Sequence, residues 1–93
     1  MHWGSGEDAF VKALSRISDG YSEGAYKGSR WGATVKRSAD GKRIWLYAED
    51  LSGTDIVSFN LYALNRKRVL KPCEMSCAKV AAFVLHYRPD ALP

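Results

Sequence analysis

The chain has no apolar run approaching the roughly 20 residues that a membrane-spanning helix requires, so no membrane partner is expected. Its start lacks the charged-then-apolar pattern of a secretion signal. With only two cysteines it is not a disulfide-stapled secreted scaffold, and a cytoplasmic protein with free thiols is expected. Histidine is equally scarce. His2 and His86 stand far from each other, and with Cys73 and Cys77 they do not make the local four-ligand set of a structural zinc site. No Ser-His-Asp or Cys-His constellation is readable from spacing. Gly24, Gly28 and Gly32 lack the preceding apolar strand and the lysine-hydroxyl ending of a phosphate-cradling loop. The acids Glu49, Asp50 and Asp55 fall where turn-forming acids are common. Neither metal nor cofactor is expected, and the residues offer a catalytic role no support.

What is present is a folded composition and one clear pattern. Hydrophobic residues make up 46% of the 93 and charged residues 26%, which argues against disorder and for one domain over 1–93, with 1–6 and 89–93 as loose ends. Residues 31–64 alternate with period two. Trp31, Ala33 and Val35 oppose Arg30, Thr34 and Lys36. Ile44, Leu46 and Ala48 oppose Trp45 and Tyr47. Val57, Phe59 and Leu61 oppose Ser58, Asn60 and Tyr62. Successive strand side chains point to opposite faces, so these are three strands of an antiparallel meander, each with one apolar row. Asp40-Gly41 supplies the positive φ of a tight turn between the first two, and Ser52-Gly53-Thr54 supplies turn chemistry between the next two.

Two helices flank the meander. Phe10, Val11, Leu14 and Ile17 recur at helical spacing over 7–18, with Ser5 as N-cap and Gly20 as stop. Ser76 caps a second helix over 77–87, where Met75 and Val80 occupy the positions of a hydrophobic staple and Pro89 ends the run. Residues 65–68 read as a basic turn, and 69–71 as a short fourth strand. Residues 21–29 fit a turn, a bulge, an extension of the first strand, or a small hairpin closed at Gly28-Ser29. The expectation is an α+β fold, an antiparallel three- or four-stranded meander with both helices on one face.

That arrangement leaves the opposite face wet. It would carry Arg30, Lys36, Trp45, Tyr47, Asn60 and Tyr62, rings among cations and an amide, as on sheets that bind single-stranded nucleic acid. The formal net charge of +4 points the same way, and ten of the 14 basic residues lie in 27–43 and 66–71. Nucleic acid is the first expected partner. A homodimer or another protein partner is the second, because exposed aromatic patches also serve association. Cys73 and Cys77 are candidates for chemistry as a thiol redox pair, and Glu49, Asp50 and Asp55 for an acid-base pair or a cation site, with turn formation the commoner explanation of the acids. The predicted helix start separates the two cysteines, and buried apolar packing accounts for free cysteines as well.

The segments YSEGAYKGSRWGATVKR, LYAEDLSGTDIVSFNLY and LKPCEMSCAKVAAFV resemble a family of small uncharacterised proteobacterial proteins, some of which carry the label peptide methionine sulfoxide reductase. That resemblance implies a shared fold. It implies no mechanism, since the Gly-Cys-Phe-Trp nucleophile motif and the Cys-x-x-Cys zinc pairs of such reductases are both absent. The α-β-β-β-α order is similar to that of the double-stranded-RNA-binding domain. Its Lys-Lys-x-Ala-Lys signature is replaced here by Cys77-Ala78-Lys79-Val80, so that assignment is not made.

Overall fold

The meander is longer than its sequence pattern indicates. The computed structural model describes residues 6–64 and 67–90. Its order is α1 (Glu7–Ser15), β1 (Gly20–Tyr26), β2 (Ser29–Arg37), β3 (Arg43–Asp50), β4 (Ile56–Leu64), β5 (Lys67–Pro72), α2 (Cys77–His86) and β6 (Arg88–Pro89). The strands form one antiparallel sheet in the order β5-β4-β3-β2-β1-β6. The α+β antiparallel class is as expected; the sheet has six strands rather than three or four.

Two strands account for most of the difference. Residues 20–26 form β1, which returns on β2 through a two-residue turn at Lys27-Gly28. Both turn residues have positive φ (50° and 76°), the geometry that matches the twist of a tight hairpin. The hairpin is therefore the one of the four readings of 21–29 that the chain adopts, closed one residue earlier than Gly28-Ser29. Gly20 opens β1 with φ 87° instead of stopping the helix. β6 then pairs antiparallel with β1, Gly24 opposite Pro89 and Ala25 opposite Arg88. Residues 89 and 90 thus belong to the sheet edge and are not a loose end. Lys67 and Arg68 lie in β5 rather than in a turn. The Ser5 cap, 1–5, 65–66 and 91–93 lie outside the described residues.

The apolar rows meet as the period-two pattern requires. Register places Val35, Leu46 and Phe59 side by side, and likewise Ala33, Ala48 and Val57. Both helices cover this face: Phe10, Ala13 and Leu14 from α1, and Val80, Phe83 and Val84 from α2, are buried against it. α1 stops at Ser15, three residues short of the predicted end. The chain tightens there, with the amides of Arg16 and Ile17 bonding the carbonyls of Ala13 and Leu14 at 3.1 and 3.0 Å. The Arg37 guanidinium then donates to the carbonyls of Leu14 and Ile17, both at 3.0 Å, and pairs with Asp19. A cation satisfying the last carbonyls of a helix suits the negative end of its dipole. In α2 the Ser76 hydroxyl accepts from the Lys79 amide at 3.1 Å, as predicted, and Met75 packs against the core. The helix ends at His86 because Tyr87 is already extended (ψ 132°) to start β6.

Gly24 makes the sixth strand possible. A Cβ there would stand 2.2 Å from the Arg88 carbonyl oxygen and 2.7 Å from the Pro89 Cα, both backbone atoms that cannot swing away. Gly24→Ala is therefore expected to lift β6 from the edge, with loss of the Asp90 amide bond to the Glu23 carbonyl (2.9 Å). The expected cost is about 1–3 kcal/mol of stability, as for other over-packing changes. It should appear as a lower denaturation midpoint together with faster amide exchange at Asp90. An unchanged midpoint with Asp90 still protected would contradict this account of the edge.

Candidate functional site on the outer sheet face

The face turned away from the helices is built by strand register alone. Reading across the sheet, Arg43, Tyr62 and Val69 share one row. Lys36, Trp45, Asn60 and Lys71 share the next. Tyr21, Thr34, Tyr47 and Ser58 share a third, and Glu23, Gly32, Glu49 and Ile56 a fourth. Two residues of strand separate neighbouring rows, about 7 Å. Residues 21–26 lie in the plane of the sheet between β2 and β6, so they do not roof the rings. Trp45, Tyr47 and Tyr62 are half-buried among their own neighbours.

The rings and cations at one end are arranged as a unit. Trp45 and Tyr47 are nearly parallel, 13° between planes, with centroids 6.3 Å apart. Lys36 Nζ lies 5.3 Å from the Trp45 ring centre, and Lys71 Nζ lies 6.0 Å from that of Tyr62. Such positions let an ammonium interact with the ring quadrupole while its charge stays available to solvent or a ligand. Beside Trp45 an open cleft of about 410 Å³ is lined by Lys36, Arg37, Ser38, Arg43 and Trp45. The Asp40 carboxylate shapes the hairpin there by accepting from the Ser38 hydroxyl and the Lys42 amide, which hold its pKa below the usual range. A smaller cleft of about 280 Å³ lies on the helical side, between α1 and the end of α2.

The cations fall into paired and unpaired sets. On the helical side Arg37 is committed to Asp19 and Arg68 to Glu7, at 3.1 Å for the second pair. At the sheet end Lys79 binds Asp55 at 2.5 Å and depresses that carboxyl's pKa. Lys36, Arg43 and Lys71, on the outer face, form no ion pair with a carboxylate among the described residues. A cation left without an acid is available for an anion.

Five of the six residues singled out from sequence come together: Lys36, Trp45, Tyr47, Asn60 and Tyr62. Arg30 does not join them. It lies three rows from Lys36, about 20 Å along β2. Its guanidinium is held by Asp90 through two hydrogen bonds of 2.9 and 2.6 Å, with Glu23 at 3.7 Å. That pairing lowers the Asp90 pKa and raises that of Arg30. Conversely, Arg43, Lys71 and Tyr21 belong to the face without having been singled out. Tyr21, 60% exposed, lies over Gly32 and donates to Glu23 at 2.9 Å, a bond that raises its own pKa. Its membership depends on β1, which carries too weak a hydrophobic pattern to announce itself.

The thiols form no comparable unit. Cys73 is exposed just beyond β5, its amide bonded to the Ser58 carbonyl at 3.0 Å, and half-buried Cys77 opens α2. Among the described residues no group of three or more His, Cys, Asp or Glu side chains converges as a metal site would. No helix among them is long and apolar enough to cross a membrane. No family model, curated protein or solved structure matches the chain.

Proposed function

We propose that the outer face binds single-stranded nucleic acid. The observation that carries this reading is that Lys36, Arg43 and Lys71 stand beside the half-buried rings of Trp45 and Tyr62 with no carboxylate partner among the described residues. Bases stack on aromatic side chains at about 1–3 kcal/mol each, and cations beside the rings neutralise the phosphates. Among the described residues no helix or ribbon projects from this face to enter a duplex groove, whereas unstacked bases can lie on a sheet. Asn60, between Trp45 and Lys71 in the same row, adds an amide that can pair with a base edge.

The test is a titration of tryptophan fluorescence in a Trp3→Phe background, which keeps only Trp45 and Trp31, with a single-stranded homopolymer at several salt concentrations. Trp31 is buried under the helices and serves as an internal reference. Each phosphate contact on a single strand contributes about −0.7 to the slope of log K against log salt, so three cations predict a slope of roughly −2. Lys36→Ala should reduce the magnitude of that slope by about 0.7. A salt-independent signal, or none, would remove the proposal. If sedimentation instead shows a concentration-dependent dimer that buries Trp45, the face serves self-association and nucleic acid is the wrong partner.

A further inference from the structure

The charge on the outer face is not uniform, and its gradient limits what can lie there. Tyr62, Trp45 and Tyr47 occupy the first, second and third rows on the adjacent strands β4 and β3, with Tyr21 a second ring in the third row that is held by Glu23, and the three unpaired cations stand in the first two. The third row adds only neutral groups. The fourth brings Glu23 and Glu49, separated by the side-chain-free Gly32. Glu23 is partly occupied by Tyr21 and Arg30, while Glu49 makes no ion pair among the described residues. Beyond them Arg30 offers no relief, because Asp90 already holds it.

We infer that the face takes a segment of about three nucleotides, and that the carboxylates of Glu23 and Glu49 close the track at one end. This rests on the single-strand reading above. A row step of about 7 Å is within the reach of one unstacked nucleotide, so three rings in three successive rows accommodate three bases. The phosphates of such a segment run past Arg43, Lys36 and Lys71. A fourth nucleotide continuing in the same direction would bring its phosphate against the unpaired Glu49 and against Glu23, which the Asp90-bound Arg30 offsets only in part at 3.7 Å, a repulsion of order 1 kcal/mol per close charge pair even in water. The strand must therefore end or turn away after Tyr47. The ligand class is a strand terminus or the exposed bases of a small loop, held by three bases, and not a long tract bound along its length.

The experiment is a length series of oligothymidylates and oligouridylates from two to eight nucleotides, followed by Trp45 fluorescence, on the full chain and on a Glu23→Gln/Glu49→Gln variant. In the unaltered protein, affinity should climb up to three nucleotides. Thereafter it should rise only with the number of equivalent registers. The variant should gain about fivefold or more on going from three to five nucleotides, because the repulsion at the closed end is gone. If affinity keeps climbing to eight nucleotides equally in both proteins, the acidic boundary is wrong although single-strand binding stands. If neither protein binds at any length, the boundary falls together with the single-strand reading. A gain confined to one of the two series leaves the boundary confirmed in that series and shows that the 2′-hydroxyl or the thymine methyl group carries selectivity.

Discussion

Replacing Phe83 by alanine is expected to destabilise the protein by about 3–5 kcal/mol, the range for truncating a fully buried aromatic residue. Phe83 is 0% exposed and stands at the centre of an aromatic cluster. Its ring meets Tyr26 at 5.0 Å, Trp31 at 5.2 Å and Tyr87 at 4.8 Å between centroids. Those three partners come from β1, β2 and the segment joining α2 to β6, so one side chain ties the C-terminal helix to the edge the sequence pattern does not reveal. Domains of this size have total stabilities near the low end of roughly 5–15 kcal/mol, and a loss this large would leave little folded margin. Denaturant unfolding should show a much lower midpoint with an unchanged slope. A shift below about 1 kcal/mol would mean that the cluster is loosely packed, against the tight centroid distances.

Trp45→Ala and Tyr47→Ala should do the reverse. Each is expected to weaken single-strand binding by about 5- to 150-fold, the equivalent of about 1–3 kcal/mol of lost stacking. Neither side chain belongs to the buried core cluster, so each should shift the unfolding midpoint far less than Phe83→Ala does. The two rings are neighbours, and their effects need not add; the double variant measures how far they act as one platform. Equal affinity for the unaltered and doubly substituted proteins would detach binding from these rings altogether.

The contrast between Phe83 and Trp45 also explains what could be read in advance. Residues 31–64 announce themselves because every second side chain is large and apolar, and register then dictates that Trp45, Tyr47 and Tyr62 share the opposite face. β1 gives no such sign. The residues it turns toward the helices begin Gly20, Ser22, Gly24 and only then reach Tyr26, since Gly24 must leave room for the backbone of β6. A strand whose inner row is nearly bare carries no hydrophobic periodicity. β6 has two residues, too few for any pattern. Lys67 and Arg68 look like turn residues until Arg68 is seen to reach Glu7 of α1, 61 positions away. Arg30 is the same problem in the site itself. As a basic residue in a strand it is indistinguishable from Lys36, and only the folding back of Asp90 takes its charge out of use.

The gradient from cations to carboxylates was hidden for a related reason. Glu23 and Glu49 are 26 positions apart and meet across Gly32 only when β1 and β3 flank β2. Long-range register thus decides both which charges are unpaired and where the proposed ligand track ends. Local composition accounts for the rings.

The most direct test of the proposed binding face is amide chemical-shift mapping on adding a short oligothymidylate. The account predicts perturbations at Lys36, Trp45, Tyr47, Asn60 and Tyr62 that diminish as salt is raised, with the amides of α1 and α2 unmoved. Perturbations centred on the helices, or an unchanged spectrum at saturating oligonucleotide, would contradict it.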